Sequence, residues 1–238
     1  MTLRRVHVAR DRIREGRARI GAEALHYLRD VLRLAPGTEI ELFDGAGGLY
    51  RAKFAGVEAL EVGERSEAPA PGAQVWIAFA LSKREKPDLV IQNATELGAS
   101  RFLPWQGERS VVRLEGERAS ERTARWRRIA AEAARQCGRA DVPKVDPPAT
   151  LAAILAAAPA RFERLLLDAG GEPLGGPRSG GTLAVVGPEG GMTTAELDTC
   201  AAAGCRIVSM GPRVLRAETA AIAAAALLQY LCGDLSAR

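Results

Sequence analysis

From residue 75 onward the apolar residues of this chain alternate between two periods. VWIAFAL (75–81) is a continuous apolar run of strand length. KPDLVIQNATELG (86–98) then has helical spacing, with Pro87 suited to its first turn and Gly98 to its C-terminal cap. RFLPW (101–105) predicts a short strand and SERTARWRRIAAEAARQCG (120–138) a long helix. RLLLDA (164–169), TLAVVG (182–187) and RIVSMG (206–211) predict three more strands. Thr193 and Glu196 stand at capping-box spacing at the head of a helix, and ETAAIAAAALLQYLC (218–232) is the last helix. Parallel strands need crossover connections, usually helical, so the alternation predicts an α/β domain with a mostly parallel sheet over 74–238.

Residues 1–70 read differently, as a compact β-rich domain. In EIELFDGAGGLYRAKFAGV (39–57) alternating apolar positions flank a glycine turn, which predicts a β-hairpin. EALHYLRDVLRL (23–34) has helical spacing, and Pro36-Gly37 is expected to end that helix. The polar segment RSEAPAPGAQ (65–74) is the domain boundary. GGPRSGG (175–181) follows no predicted strand end and reads as a connector.

The formal net charge of +4 is unevenly spread. Residues 1–33 hold nine Arg against four acids, 34–70 three basic residues against seven acids, and 101–144 eleven against six. Two readings stand: a patterned surface that meets a polyanion, or solvated helix faces. The only Lys are 53, 83, 86 and 144, so nearly all the cations are planar guanidinium forks, which suit phosphate and base edges. The four Cys (137, 200, 205, 232) form no CxxC pair and there are two His, so no metal site is expected. The charged N-terminus does not resemble a secretory signal, which points to reduced thiols and a cytoplasmic protein. The longest apolar run, near 220–232, is too short and too Ala-rich to span a bilayer.

Three glycine-bearing loops follow predicted strands: Leu167-Asp168-Ala169-Gly170, Gly187-Pro188-Glu189-Gly190-Gly191 and Gly211-Pro212-Arg213-Val214-Leu215-Arg216. In open α/β sheets ligands sit beyond the carboxyl ends of strands, so the loops are expected to converge on one pocket. None matches a phosphate loop, which disfavours a nucleoside triphosphate or a dinucleotide. A glycine turn bearing an acid suits S-adenosylmethionine, whose adenosine needs close backbone approach and whose sulfonium no carboxylate repels. Glu189 alternatively serves the following helix dipole, a contribution of roughly 0.3–1 kcal/mol. Arg213 and Arg216 beside Glu218 and Thr219 at a helix entry fit a polar substrate, or a structural ion pair.

LSKREKPDLVIQNATELG, RQCGRADVP, VVGPEGGMTTAEL and MGPRVLRAETAA together resemble the RsmE-type 16S ribosomal RNA methyltransferases of the SPOUT superfamily, which methylate N3 of a uridine. HYLRDVLRLAPGTEIELFDGAGGLY resembles that family's opening domain, so the resemblance covers nearly the whole chain. It implies a small PUA-like RNA-binding β-barrel over 1–70 and a SPOUT methyltransferase domain over 74–238 whose C-terminal segment is threaded into a trefoil knot. It also implies a homodimer acting on 16S rRNA of the small subunit. For the cofactor it implies Leu167, Asp168, Gly187, Pro188, Glu189, Gly190, Gly191, Met210, Gly211, Val214, Leu215 and Thr219. The chain departs from the family at Arg84 (often Gly), Pro87 (often Met), Asn93 (often Lys), Gly107 (often Ser) and Ala217 (often Thr). The missing Lys at 93 puts any role for that cation in doubt.

Methyl transfer is a displacement at the sulfonium methyl, and orientation alone supplies roughly 7–11 kcal/mol. Uridine N3 must first lose its proton. His7 and His26 both lie in the N-terminal domain, so the expected groups are Arg216 or Arg213 stabilising O2 or O4, and Glu218 or Glu189 orienting the base or taking the proton. Expected phosphate contacts are Arg4, Arg5, Arg10 and Arg12, Arg109, and the helix face of Arg125, Arg127, Arg128, Arg135 and Arg139. Trp126 reads as core before stacking platform, and Cys137 as inert packing. Competing functions are a non-catalytic RNA-binding assembly factor and a SPOUT enzyme for another RNA, such as a transfer RNA ribose.

Overall fold

The computed structural model describes residues 4–69, 72–82, 86–110, 112–176 and 180–235. Its contacts divide the chain into two units, 1–70 with 131–142, and 71–130 with 143–238. The break falls near residue 70. The capture of 131–142 by the first unit was not expected.

In the first unit β1 (Arg4–His7), β2 (Ile13–Arg14), β3 (Arg17–Arg19), β4 (Glu39–Phe43), β5 (Gly48–Phe54) and β6 (Ala59–Glu67) form one sheet in the order β1-β4-β5-β6-β3-β2. Only the β1–β4 pair is parallel. Alternation along β5 buries Tyr50, Ala52 and Phe54 against Val6, Ile20, Leu28, Ile40 and Leu60. The expected β4–β5 hairpin is present. Asp44 closes its turn by accepting from the amides of Ala46 and Gly48, both at 2.8 Å. Gly45 has φ +76°, and a side chain there would sit 2.7 Å from His7 Nε2.

The helix expected over 23–34 is shorter and irregular. α1 (Ala22–His26) runs into a π-helical turn, Tyr27–Val31, that buries Leu28. Arg33, at φ +52°, turns the chain before Pro36-Gly37 is reached. Residues 131–142 join this unit because Ala134 and Ala140 bury against Phe43. Arg135 also donates to Tyr27 Oη at 2.9 Å, and Val142 N donates to Gly45 O at 2.9 Å.

The second unit holds β7 (Gln74–Ala80), β8 (Arg101–Trp105), β9 (Lys144–Val145), β10 (Glu163–Pro173), β11 (Gly181–Val186) and β12 (Arg206–Ser209). The order is β12-β10-β11-β7-β8-β9 and every pairing is parallel. All six residues of β11 are buried, as befits a central strand covered on both faces. On one face α2 (Lys86–Glu96) packs on α6 (Ala217–Cys232), and α6 packs on β7 and β11. On the other, α4 (Leu151–Ala157) and α5 (Thr194–Ala202) cover Leu103, Trp105, Leu166, Leu183 and Val185. Each such fully buried side chain contributes roughly 1.5–3 kcal/mol. α3 spans Gly116–Cys137.

Local signals set these boundaries. Gly98 takes φ +92° after α2, and the Gln229 amide of α6 donates to Gly98 O at 2.7 Å. Thr193 and Glu196 form both hydrogen bonds of the expected capping box. Trp126 is fully buried, in keeping with the core reading, and its indole N–H donates to buried Asp88 Oδ1 at 2.9 Å. The same carboxylate accepts from Arg125 Nη2 at 2.6 Å and so ties α3 to α2.

Candidate active site

Because the sheet is parallel, β10, β11 and β12 end on one edge and deliver the three glycine-bearing loops together. The first is a bulge within β10. Leu167 and Glu172 both register with Val208, so residues 168–171 loop out of the ladder. Asp168 Oδ1 accepts from Gly170 N at 2.8 Å. A Cβ on Gly171 would lie 2.7 Å from Val208 N, so only glycine lets the bulge rejoin the strand so closely. In the second loop Gly191 donates to Pro188 O at 2.9 Å with φ +76°, which turns the chain into the cap of α5. In the third, Ser209 Oγ donates to Gly211 O at 2.9 Å and accepts from Gly211 N at 3.2 Å. Arg216 is then the N-cap of α6, with extended backbone and no side-chain cap.

The loops enclose a cleft of about 850 Å³. Of the residues expected to hold a cofactor, Leu167, Asp168, Gly187, Pro188, Glu189, Gly191, Met210, Gly211, Val214 and Leu215 line it. Gly190 and Thr219 are not among the lining residues. Gly190 lies under Arg109, whose guanidinium donates to Gly190 O at 3.1 Å. Thr219 is exposed on α6. Of the expected catalytic residues, Arg213, Arg216 and Glu189 line the cleft. Glu218 stands behind it, its side chain 11% exposed.

The sequence reading missed Lys86. It opens α2, lines the cleft, ion-pairs with Glu189, and lies 3.4 Å from Glu218 Oε1. The hydrogen bond to Glu189 raises the Lys86 pKa above its ordinary value, and the Glu218 charge adds to that shift. Glu218 Oε2 is buried without a hydrogen-bond partner among the described residues. One sequence signal was available. A cation at a helix N-terminus opposes the macrodipole, and both Lys86 on α2 and Arg216 on α6 break that rule. Here the two helix starts meet at one cleft, which adds positive potential to the three cations.

The other expected residues sort by their partners. Arg109 sits over the Gly190 loop, on a segment held by Glu196, which accepts from Glu108 N at 2.9 Å. In the first unit Arg5 pairs with Glu41 at 2.6 Å, Arg135 with Glu132 at 2.8 Å and Arg139 with Asp141 at 2.6 Å, while Arg4, Arg10 and Arg12 are exposed. Arg127 donates to Val145 O at 3.0 Å. Asn93 is a half-buried residue of α2 that does not line the cleft, and Arg84 lies outside the described residues. Cys137 is exposed in the first unit rather than packed inside, because the last turn of α3 buries Ala134 instead. Among the described residues no cluster of three or more His, Cys, Asp or Glu is arranged to hold a metal.

Comparison with known proteins places this geometry. Residues 68–229 match the model of an RNA methyltransferase domain, and residues 20–62 that of an RNA methyltransferase PUA domain. The ribosomal RNA small subunit methyltransferase E of Mycobacterium bovis is 35% identical over 86% of this chain and 82% of its own length. The protein of the same name from Bacillus subtilis is 31% identical over 89% of both. The chain belongs to the ribosomal RNA small subunit methyltransferase E family. A crystal structure of the family's Neisseria gonorrhoeae member, bound to S-adenosylmethionine, superposes with a TM-score of 0.88 at 30% identity, covering 98% of this chain and 99% of that one. The RNA methyltransferase match spans every strand of the second unit's parallel sheet, and the PUA match spans β4 and β5 of the first unit's sheet.

Proposed function

We propose that this chain methylates N3 of a uridine in the 16S RNA of the small ribosomal subunit, as a homodimer. It is an S-adenosylmethionine-dependent ribosomal RNA methyltransferase. The observation that carries the finer reading is the meeting of Lys86, Arg213 and Arg216 with Glu189 at one cleft, at the starts of α2 and α6. The residues present fit the cofactor. Gly187, Gly191 and Gly211 line the cleft without side chains, so a ligand can approach the backbone, and Asp168 and Glu189 tolerate a cationic ligand. When bound, S-adenosylmethionine supplies an electrophilic methyl group on sulfonium.

The chain's own groups prepare the nucleophile. Arg216 and Arg213 hold the uracil oxygens, where negative charge gathers as N3 loses its proton. Of the two cleft carboxylates, Asp168 and Glu189, Glu189 takes that proton, and Glu218 holds Lys86 from behind. Arg216→Ala is expected to lower turnover on the order of 10²-fold. Full turnover in that variant removes the charge-stabilising role.

The contacts of α6 with α2, β7 and β11, while β12 stands at the far edge beside β10, support a C-terminal segment that threads back across the sheet. Leu227, Tyr230 and Leu231 of α6 and Leu89 of α2 are exposed, and this unpaired apolar surface supports the dimer. No helix of the described residues is long and apolar enough to cross a membrane. The deciding experiment incubates the protein with labelled S-adenosylmethionine and unmodified small subunits, then identifies the labelled nucleoside. 3-Methyluridine is expected. Another methylated nucleoside discards the uridine-N3 assignment, and no label on subunits or bare RNA favours a non-catalytic binder.

A further inference from the structure

A second cavity, of about 480 Å³, lies beside the start of α2. Its apolar wall is Leu81, Pro87, Val112 and Leu114, and Pro87 is the chain neighbour of Lys86 in the cleft. Its other wall is one face of α3, where Arg118, Arg122, Arg125 and Arg128 recur at helical spacing with Glu121 between them. Asp88, beneath, pairs with Arg125 and lies 3.8 Å from Arg122. Arg122 also stands over the Trp126 ring at 5.8 Å. Arg118 and Arg128 have no ion pair among the described residues. The arginine-rich helix face is therefore divided: Arg125 and Arg127 serve the fold, while Arg118 and Arg128 are free to serve a ligand.

We propose that this groove binds the RNA strand flanking the target nucleotide, with backbone phosphates on Arg118, Arg122 and Arg128 and a neighbouring base against the apolar wall. The inference rests on RNA being the substrate. A concave apolar surface edged by guanidinium groups complements both parts of a nucleotide, the anionic phosphate and the flat base. Pro87 of the groove and Lys86 of the cleft are neighbours at the start of α2, and the proposed strand occupies both. An unpaired, extended strand is the form in which a base can leave its stack to be modified.

The test uses the double variants Arg118→Gln/Arg128→Gln and Arg118→Glu/Arg128→Glu. The probe is a labelled single-stranded fragment of unmodified small-subunit ribosomal RNA, titrated over a range of KCl. Cofactor affinity, measured by calorimetry, reports the integrity of the cleft. The glutamine variant is expected to raise the RNA Kd by about tenfold and to make the salt dependence shallower by about 1.4 in slope, the value for two lost single-strand phosphate contacts. The KM for RNA is expected to rise in step, and the cofactor Kd to stay at its parent value. RNA affinity and salt slope unchanged in the glutamine variant, with cofactor binding intact, overturn the proposal. If the charge-reversed protein does not fold, the glutamine variant decides. A parent protein that methylates no RNA refutes the RNA reading itself, whereas a groove without a role leaves methylation and KM untouched in both variants.

Discussion

Lys86 is the residue at which local rule and structure most clearly disagree. A lysine at the start of a helix is disfavoured by the dipole, and its pairing with Glu189 and Glu218 offsets that cost. Lys86→Met keeps the stem and removes the charge, which leaves Glu218 buried beside no cation. Turnover is expected to fall on the order of 10²-fold, with a smaller change in cofactor affinity, as single-turnover and calorimetric measurements would show. Turnover at the parent rate would make Lys86 a surface residue only. Asp88 is a different case, a structural carboxylate that serves the Trp126 indole and the Arg125 guanidinium. Asp88→Ala leaves the buried indole N–H unpaired and is expected to cost about 2 kcal/mol in urea unfolding. Asp88→Asn, which keeps an acceptor for the indole, is expected to cost less.

At the scale of elements, the β10 bulge decides whether the first loop reaches the cleft. Leu167 and Glu172 share one partner on β12, so four residues are pushed out, of which Asp168 and Ala169 line the cleft. Gly171→Ala places a carbon 2.7 Å from the Val208 amide nitrogen, and backbone cannot yield cheaply. The bulge must shift, at about 1–3 kcal/mol of overpacking, and cofactor affinity is expected to fall with it. A variant with unaltered stability and unaltered cofactor Kd would show that the loop tolerates the side chain. α5 behaves in the opposite way. Its start is specified entirely within four residues, Thr193 to Glu196, and the same Glu196 also holds Glu108 N. That second duty, which places Arg109 over Gly190, involves a residue 88 positions away and has no local signature.

At the scale of the molecule, the return of α6 across the sheet leaves part of its surface without a partner in the chain. Tyr230 is 61% exposed and Leu231 41%, both near the end of α6. With both Tyr230 and Leu231 changed to glutamate, the proposed dimer is expected to sediment as a monomer, because two charges would have to be desolvated in the contact. An unchanged sedimentation coefficient in a dimeric parent would place the interface elsewhere. The two-unit division follows the linker near residue 70 except at α3, whose last turns belong to the first unit. A 22-residue amphipathic helix carries no internal mark of that change, since Ala130 and Ala134 look alike in sequence and fall in different units.

The parallel sheet, its helices, the capping box and the Gly98 helix end were all legible, because each depends on periods and caps within a dozen residues. The three loops were legible for the same reason, as glycine-bearing turns after strands, and the parallel rule put them on one edge. The short helix α4 was not anticipated, and a π-helical turn that buries Leu28 stands where a regular helix was expected. Tertiary structure alone decided the strand order, which depends on which apolar faces cover one another. It also decided that Glu218 stands behind the cleft while Lys86 enters it. Those two are 132 residues apart in the chain, and their contact arises only because α2 and α6 pack together with their starts at the same edge of the sheet.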